Sequence, residues 1–583
     1  MKRKSLALLL VLTLLVSLFL PACSGSGSSG EETPAAEQSE SSQAASESAP
    51  ASSTSSEETG TAPAAQEGFP LTEEKVEFTV FFIPHVAVTD MSENYATKWF
   101  EEKTNVHINW NITTQEDYAT KLTLVMSNAN DMPDIFLCSN MNRAQADAYG
   151  AQGLLIPLQD YIENSSVNYK RIVENNPSVL QQSLSYDGNI YFLSQYYETI
   201  HILHSQKQWI NQKWLDNLGL EMPTTTDEYY KVLKAFKEED ANGNGDPNDE
   251  IPYIGTKNGW NGQIRYFLMN SFVYSPPTLT TFYLENGGMT AAFAQEGWRE
   301  GLRFYKKLYD EKLLDPEALT ITTDQVRALS SDPGGNRIGS FPGGIATENV
   351  DTTSADIFDY VTVPPLEGPS GLRQAPLENF VPQPTFMITA KCEEPEIAFR
   401  WADAMCVDVV SEVESGNYDM LNFWYGPEDD PQGWSRAAEG ETGFTGKPAY
   451  FKWNFNWSDP LNTHWYEKFV INMRSPWKEM MTAEVVEGVY DQERVLYEET
   501  SEKYRPYSVD KTMPAISLEA DLSAEYANIL STLETYVNES FAKVLTGEWS
   551  LDSDWEAYLA EMDKIGLPRA LEIAQTAYDK TQQ

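Results

Sequence analysis

Between Val76 and Leu137 the apolar residues switch repeatedly between period two and period 3.6, which restricts the fold more than any other feature of the chain. Val76-Glu77-Phe78-Thr79-Val80-Phe81-Phe82-Ile83 is strand-like and stops at Pro84-His85. Ser92 can then cap a helix running to about Lys103, with Tyr95 and Trp99 on its apolar face. Val106, Ile108, Trp110 and Ile112 alternate as a second strand. Asp117 starts a second helix carrying Tyr118, Leu122, Val125 and Met126, and Pro133 to Leu137 is a short apolar strand. Strand, helix, strand, helix, strand at this spacing predicts an α/β layered domain with a mainly parallel sheet. Ligands of such sheets sit beyond the carboxyl ends of the strands. Here those ends fall at Pro84-His85-Val86 and Cys138-Ser139-Asn140, which makes His85 and Asn140 candidates for ligand contact. An ordinary surface loop is the competing reading of each.

That domain cannot be the whole molecule. A chain of 583 residues exceeds what one hydrophobic core organises. Its first residues do not belong to any core. Lys2, Arg3 and Lys4 precede an apolar run from Leu6 to Leu20, about 15 residues and too short to span a bilayer. Leu20-Pro21-Ala22-Cys23 follows and resembles the lipobox of bacterial lipoproteins. The resemblance implies a signal peptide over 1–22 and a thioether-linked diacylglyceryl group on Cys23. From Ser24 to Glu67 the chain is Ser, Gly, Ala, Glu, Thr, Gln and Pro, with no Lys, Arg or aromatic residue. Such a segment cannot bury enough surface to offset its ordering entropy. As a random coil it keeps its ends roughly 37 Å apart, which holds whatever follows close to a membrane partner.

The charge is one-sided, with 41 Lys and Arg against 87 Asp and Glu, a net of -46. A field of that sign repels nucleic acid and anionic lipid. No Cys-x-x-Cys or His-Glu-x-x-His occurs, so a zinc enzyme is not indicated. Cys138, Cys392 and Cys406 have no framework spacing and are expected as free thiols, Cys406 inside a helix over Pro395 to Val410.

Further along, Trp209, Ile210, Trp214, Leu215 and Leu218 recur at helical spacing, and Thr225 or Thr226 can cap a helix with Tyr229, Tyr230, Leu233 and Phe236. That helix runs into Asp240-Ala241-Asn242-Gly243-Asn244-Gly245-Asp246-Pro247-Asn248-Asp249-Glu250. Oxygen side chains occupy relative positions 1, 3, 5 and 7, then 9, 10 and 11, with two glycines for the tight turn. Ca²⁺ takes six to eight hard oxygens, and the spacing matches the front half of an EF-hand loop. Position 12, where that loop needs a bidentate Glu, is Ile251. Asp240, Asn242, Asn244 and Glu250 are the foremost ligands, Asp249 the next, and Asp246 offers a backbone oxygen. The ion's role would be structural. A capping turn without an ion is the competing reading.

Strands are expected around Ile338 to Phe341, Tyr360 to Val363 and Phe386 to Thr389, an amphipathic helix over Trp298 to Leu308, and helices over most of Leu518 to Lys580. Aromatic residues with amides beside them crowd Trp424-Tyr425 and Gly433-Trp434, and also Phe451, Trp453, Asn454, Phe455, Asn456 and Trp457. An aromatic face stacks a sugar ring while amides bond its hydroxyls. Core packing explains the same residues equally well.

Met132-Pro133-Asp134-Ile135, Gly153-Leu154-Leu155-Ile156-Pro157-Leu158, Trp214-Leu215-Asp216-Asn217-Leu218-Gly219-Leu220, Met222-Pro223-Thr224-Thr225, the Asp240 loop and Val363-Pro364-Pro365-Leu366-Glu367-Gly368-Pro369 occur in an order that resembles the substrate-binding lipoproteins of bacterial ABC importers. The group is the large carbohydrate-associated one of Gram-positive bacteria, related to alginate-oligosaccharide binders. The resemblance implies an α/β, two-lobed, periplasmic-binding-protein-like fold of type II, with mainly parallel central sheets and a helical C-terminal region. It implies crossings near residues 193–200, 356–363 and 412–424. Lobe 1 would then be built from 72–195 and 359–415, and lobe 2 from 196–358 and 416–583, with 23–71 as the lipidated tether. It further implies a carbohydrate held between the lobes, structural Ca²⁺, permease subunits as partners, a lipid anchor on the extracellular face, a monomer, and no enzymatic activity. Chosen by position and chemistry, the ligand contacts are His85, Asn140, Tyr197, Trp260, Trp424 and Trp434. A peptide or cation receptor on the same scaffold, a surface glycoside hydrolase with two carboxylates across a cleft, and an adhesin are the rivals.

Overall fold

The structure is a computed structural model and describes residues 68–582 apart from 86, 129–130, 195–198, 379–382, 444–445, 456–459 and 467–489. The expected signal peptide, Cys23, nearly all of the tether, and Tyr197 lie outside those residues.

Eight strands build the two sheets that frame the molecule. They are β1 (Val76–Phe82), β2 (Val106–Ile112), β3 (Ile135–Leu137), β4 (Leu193–Ser194), β5 (Gln208–Asn211), β6 (Ser340–Pro342), β7 (Tyr360–Val363) and β8 (Pro384–Ile388). The first sheet has the order β2-β1-β3-β8-β4. β1 is parallel to β2 and β3, while β8 runs against both β3 and β4. Side chains alternate across a strand, and here both faces are covered. Phe78, Val80, Phe82, Ile135, Leu137, Phe386 and Ile388 enter one apolar cluster, and Phe81, Phe136 and Met387 enter another on the opposite face. That is why these strands read as nearly continuous apolar runs. The helix after β1 spans Tyr95–Thr104 and is capped by Asn94, not Ser92; the Asn94 side chain accepts from the amides of Ala96 and Thr97.

One buried carboxylate ties this core together at long range. Asp403, on the helix Pro395–Ala404, accepts hydrogen bonds from Ser166 Oγ (2.5 Å) and from the amides of Val167, Asn168 and Tyr169 (3.0, 3.1 and 2.8 Å). These are the free donors at the start of the helix Asn168–Asn175, where negative charge is favoured. The helix expected over Pro395 to Val410 is two helices, Pro395–Ala404 and Val409–Glu414. Cys406 therefore sits in the turn between them. It is a buried free thiol, and Cys392 is free as well.

The second sheet is antiparallel, with the order β6-β5-β7. Trp209 and Ile210 lie in β5 and not in a helix; the helix begins only at Gln212, where the Asn211 side chain caps it. The four-residue strand is held by partners more than a hundred residues away, which local periodicity does not register. Behind this sheet the helix Thr226–Glu238 and the C-terminal helices Ala520–Thr546, Trp555–Ile565 and Leu567–Thr581 build a separate core with the helix Glu296–Asp310.

The chain changes core at different places from those expected. It leaves the first core after β4 and enters the second at β5. β7 (360–363), however, pairs with β5 in the second sheet, so the return crossing comes after Ala375-Pro376 and before β8. Residues Met420 to Trp465, assigned by the resemblance to lobe 2, pack in the first core. Leu496 and Tyr504 are again among second-core residues. Those aromatics carry no periodic signal of which sheet they cover.

Candidate functional site

Two places gather the candidate residues. The first is the carboxyl edge of the parallel strands. His85 follows β1, is half-buried, and lies flat on Tyr466 with ring centroids 4.6 Å apart and planes 10° from parallel. Its Nδ1 accepts from the Ala87 amide at 3.2 Å, which leaves Nε2 as the protonated nitrogen of the neutral ring. Asn140 follows β3, is exposed, and bonds the Gln115 side chain through its amide. Between them in the same turn, Ser139 is fully buried and its Oγ has no partner among the described residues. Backbone strain concentrates here. Cys138, Asn140 and Tyr466 have φ of 44°, 59° and 49°. Left-handed backbone is costly for Cys and Tyr and persists where surrounding structure imposes it, often at functional sites.

The second place lies where two crossings between the cores run side by side. Trp260 is 36% exposed. Its ring rests on the glycine turn after β6, so closely that a Cβ on Gly344 would lie 2.2 Å from it. The Trp260 carbonyl accepts from the Gly344 amide at 2.8 Å, and its own amide donates to Glu348 Oε2 at 2.8 Å. Asn261, at φ 54°, donates to Ser205 Oγ at 2.7 Å. From there a chain of polar contacts closes on itself. Asn261 adjoins Glu378, whose amide donates to the Leu203 carbonyl at 2.8 Å. Lys207, fully buried, donates to the His201 carbonyl at 2.9 Å and the His204 carbonyl at 2.5 Å. His201 Nε2 is 3.8 Å from Glu493 Oε2, and neighbouring Gln492 bonds Thr347, next to Glu348. Burial sets the charges in this ring. It lowers the Lys207 ammonium to about 7 and raises the Glu378 carboxyl to about 7, each partly offset by the other. It raises Glu348 too, against the Trp260 amide and Arg327. Glu378 Oε1 is shut off from solvent and has no hydrogen-bond partner among the described residues.

Of the six residues chosen for ligand contact, His85 and Asn140 thus share one edge and Trp260 stands in the polar ring. Trp424 and Trp434 are elsewhere. They are 2% and 0% exposed in the first core, Trp434 stacked on Tyr418 at 5.8 Å, and present no face to a solute. Sequence reasoning missed His201, Lys207, Asn261, Glu378 and Glu493. Only Asn261, beside Trp260, carries a local signal; His201 and Lys207 lie six positions apart, but Glu378 and Glu493 join them from more than a hundred residues away.

The Asp240 loop stands apart from both places. The helix before it is Thr226–Glu238, capped by Thr225 in a reciprocal box with Glu228. Asn242 and Asn244 use their side-chain oxygens in tight turns, accepting from the amides of Asn244 (2.9 Å) and Asp246 (2.8 Å). Their amide nitrogens both reach the Asp249 carboxylate, at 3.2 and 2.9 Å. Asp240 Oδ2 accepts from the Gly245 amide and Glu250 Oε1 from the Ala241 amide. Gly243 and Gly245 take φ of 74° and 95°, which only glycine adopts freely. The remaining oxygens, Asp240 Oδ1 and Glu250 Oε2, are buried without a partner. Burial also raises the Glu250 carboxyl above its ordinary value. Buried orphan carboxylate oxygens are what a hard cation satisfies, so the donor set fits calcium. Among the described residues, no three His, Cys, Asp or Glu side chains converge to hold a metal by themselves.

Two sheeted cores laced by repeated crossings, with polar residues collected where the crossings run, define the class of solute receptors. The chain belongs to the bacterial extracellular solute-binding proteins, whose family model matches residues 88–406, more than half its length. Among its relatives is the fructooligosaccharide ABC transporter substrate-binding protein FusA of Streptococcus pneumoniae. It is 25% identical over 533 residues, covering 88% of this chain and 92% of its own. Lipoprotein LipO of Bacillus subtilis is 27% identical over 294 residues, 48% of this chain and 54% of its own. The solved structure of a FusA EF-hand mutant in complex with fructo-nystose shares the fold. Its TM-score is 0.65 at 23% identity, over 87% of this chain and 99% of that one.

Proposed function

We propose that this protein is the receptor of an ABC importer, capturing an oligosaccharide and delivering it unchanged to permease subunits. Trp260 carries the reading: a half-exposed indole clamped on a glycine turn, with the Glu348 carboxylate on its amide, close to where the chain passes between its two cores. An apolar ring face stacks on the indole and hydroxyls donate to the carboxylate. The lobes are 71–194 with 384–466, and 208–376 with 490–582. They would close over the sugar, with His85 and Asn140 on the opposing edge. FusA, which is similar over most of its length, supports the class of ligand. Calorimetry against a broad saccharide panel tests the reading. Micromolar or tighter binding of at least one oligosaccharide is expected, and no heat from any sugar sinks it.

The Asp240 loop would hold calcium through Asp240, Asn242, Asn244, Asp249 and Glu250, with a backbone oxygen from Asp246. The ion would tie the end of the helix Thr226–Glu238 to the chain at Ile251. The existence of an EF-hand mutant of FusA supports the assignment. Cys23 would carry the lipid anchor on the extracellular face of the membrane, the tether leaving the monomeric receptor free to meet its permease. Release of a Cys23→Ser variant into the medium is the expected result; unchanged membrane partitioning would count against it.

A further inference from the structure

We infer that Glu348 is the positioning residue of the Trp260 platform: its carboxylate holds the Trp260 main chain so that the indole stays against the glycine turn and meets a sugar ring already in place. This rests on the reading of the chain as a carbohydrate receptor and adds to it the residue that presents the stacking surface.

Trp260 lies in a loop tied off at its base, where the Thr256 amide donates to the Gly262 carbonyl at 2.7 Å. Gly259 and Gly262 fold inward on Thr256, whose Oγ1 would lie 2.5 and 2.1 Å from a Cβ on each. Between those glycines, both main-chain polar groups of Trp260 go to one segment, 344–348. Its carbonyl takes the Gly344 amide and its own amide gives to Glu348 Oε2, each at 2.8 Å. The two bonds bring the indole onto Gly344, where a side chain would push it away. The Gly344 bond is main chain on both sides. Only the Glu348 bond depends on a side chain.

Glu348 is itself anchored. Arg327, on the helix Thr323–Ser330, donates from Nη2 to the Thr347 and Glu348 carbonyls at 3.2 and 2.9 Å. Burial raises the Glu348 carboxyl, and the Trp260 amide and then Arg327 draw it back down. Among the described residues, no second hydrogen-bond donor meets that carboxylate. A half-buried carboxylate is thus given to one main-chain amide. Hydrogen bonds to an ionised acceptor are about twice as strong as neutral ones. A binding surface fixed beforehand loses less freedom when its ligand arrives.

Calorimetry on the mature chain, with a panel of fructo-, gluco-, manno-, xylo- and galacto-oligosaccharides, tests this together with fluorine NMR. The NMR sample is the sugar-free protein carrying 5-fluorotryptophan, and Trp260→Phe assigns the Trp260 resonance. Glu348→Ala should weaken the tightest-binding saccharide about fivefold, as when one side chain must be ordered on binding. It should also shift or broaden the Trp260 resonance. Glu348→Gln, whose side-chain carbonyl still accepts from the amide, should bind within about twofold of the unaltered chain and keep the resonance. A Trp260 resonance unmoved in Glu348→Ala overturns the inference, and so does an affinity that this substitution leaves unchanged; either result leaves the receptor reading standing. A Glu348→Gln variant as weak as Glu348→Ala overturns it as well. Silence from the whole panel overturns the receptor reading and the inference with it. Should Glu348→Ala not fold, Glu348→Asp, one methylene shorter and held off the amide, takes its place under the same expectations.

Discussion

The first core seals four of its tryptophans, while near the second Trp260 stands at the surface. Trp401, Trp424, Trp434 and Trp465 are each at most 2% exposed, and Trp465 meets Trp110 and Phe423 at 5.3 and 4.9 Å. Trp260 is 36% exposed and rests against the Gly344 turn. Trp424, Trp434 and Trp260 look alike in the sequence, each within two positions of glycine or asparagine. What separates them is whether distant segments close over the ring. An aromatic count therefore measures core and binding surface together, and only burial divides the two.

The most forceful way to break the comparison is truncation. Trp465→Ala should cost about 3–5 kcal/mol in denaturant unfolding, from lost transfer energy and the cavity left behind. Trp260→Ala should change stability by no more than about 0.5 kcal/mol yet weaken sugar binding at least tenfold by calorimetry. The reverse pattern would invert the assignment of core and site.

Acid sharpens it next. His464 is fully buried in the first core, with ring centroids 4.5 and 4.4 Å from Phe455 and Tyr466, and burial pushes its imidazole from 6.5 down to about 3. The folded state keeps the ring neutral while the unfolded state protonates it near 6.5. The contribution is thus present above that pH and is lost as pH falls toward 3, at about 1.4 kcal/mol per unit. Melting between pH 7 and 4 should show the loss, and His464→Phe should flatten it.

Calcium removal should act on the second core instead. A ligand at about 100 times its Kd contributes about 2.7 kcal/mol, so chelation should lower the melting temperature measurably. An unchanged melting curve would leave the orphan oxygens of Asp240 and Glu250 without an ion. Smallest is Thr225→Ala, which removes the cap of the helix leading into that loop. It should cost about 1 kcal/mol by chemical unfolding, and no loss would show that calcium, not the cap, orders the helix.

Legibility followed the range of the interaction. β1, β2 and β3 were readable because alternation is printed in neighbouring residues, and the Asx-Gly spacing of 240–250 announced its own turns. Trp209 and Ile210 misled, since their helical spacing is an accident of a strand running into a helix. Trp424 and Trp434 misled because turn residues beside them suggested a surface. Lys207 and Glu378 were invisible, being 171 positions apart by their numbers and joined only in space.

By itself the sequence determined the strand–helix alternation of the first sheet and which loop offers hard oxygens. Those are consequences of periodicity, capping and composition, all local. Only the tertiary structure decided where the chain changes core, which indole faces solvent, and which carboxylate is left without a partner. Burial and desolvation come from segments that meet in three dimensions, and no stretch of neighbouring residues encodes them.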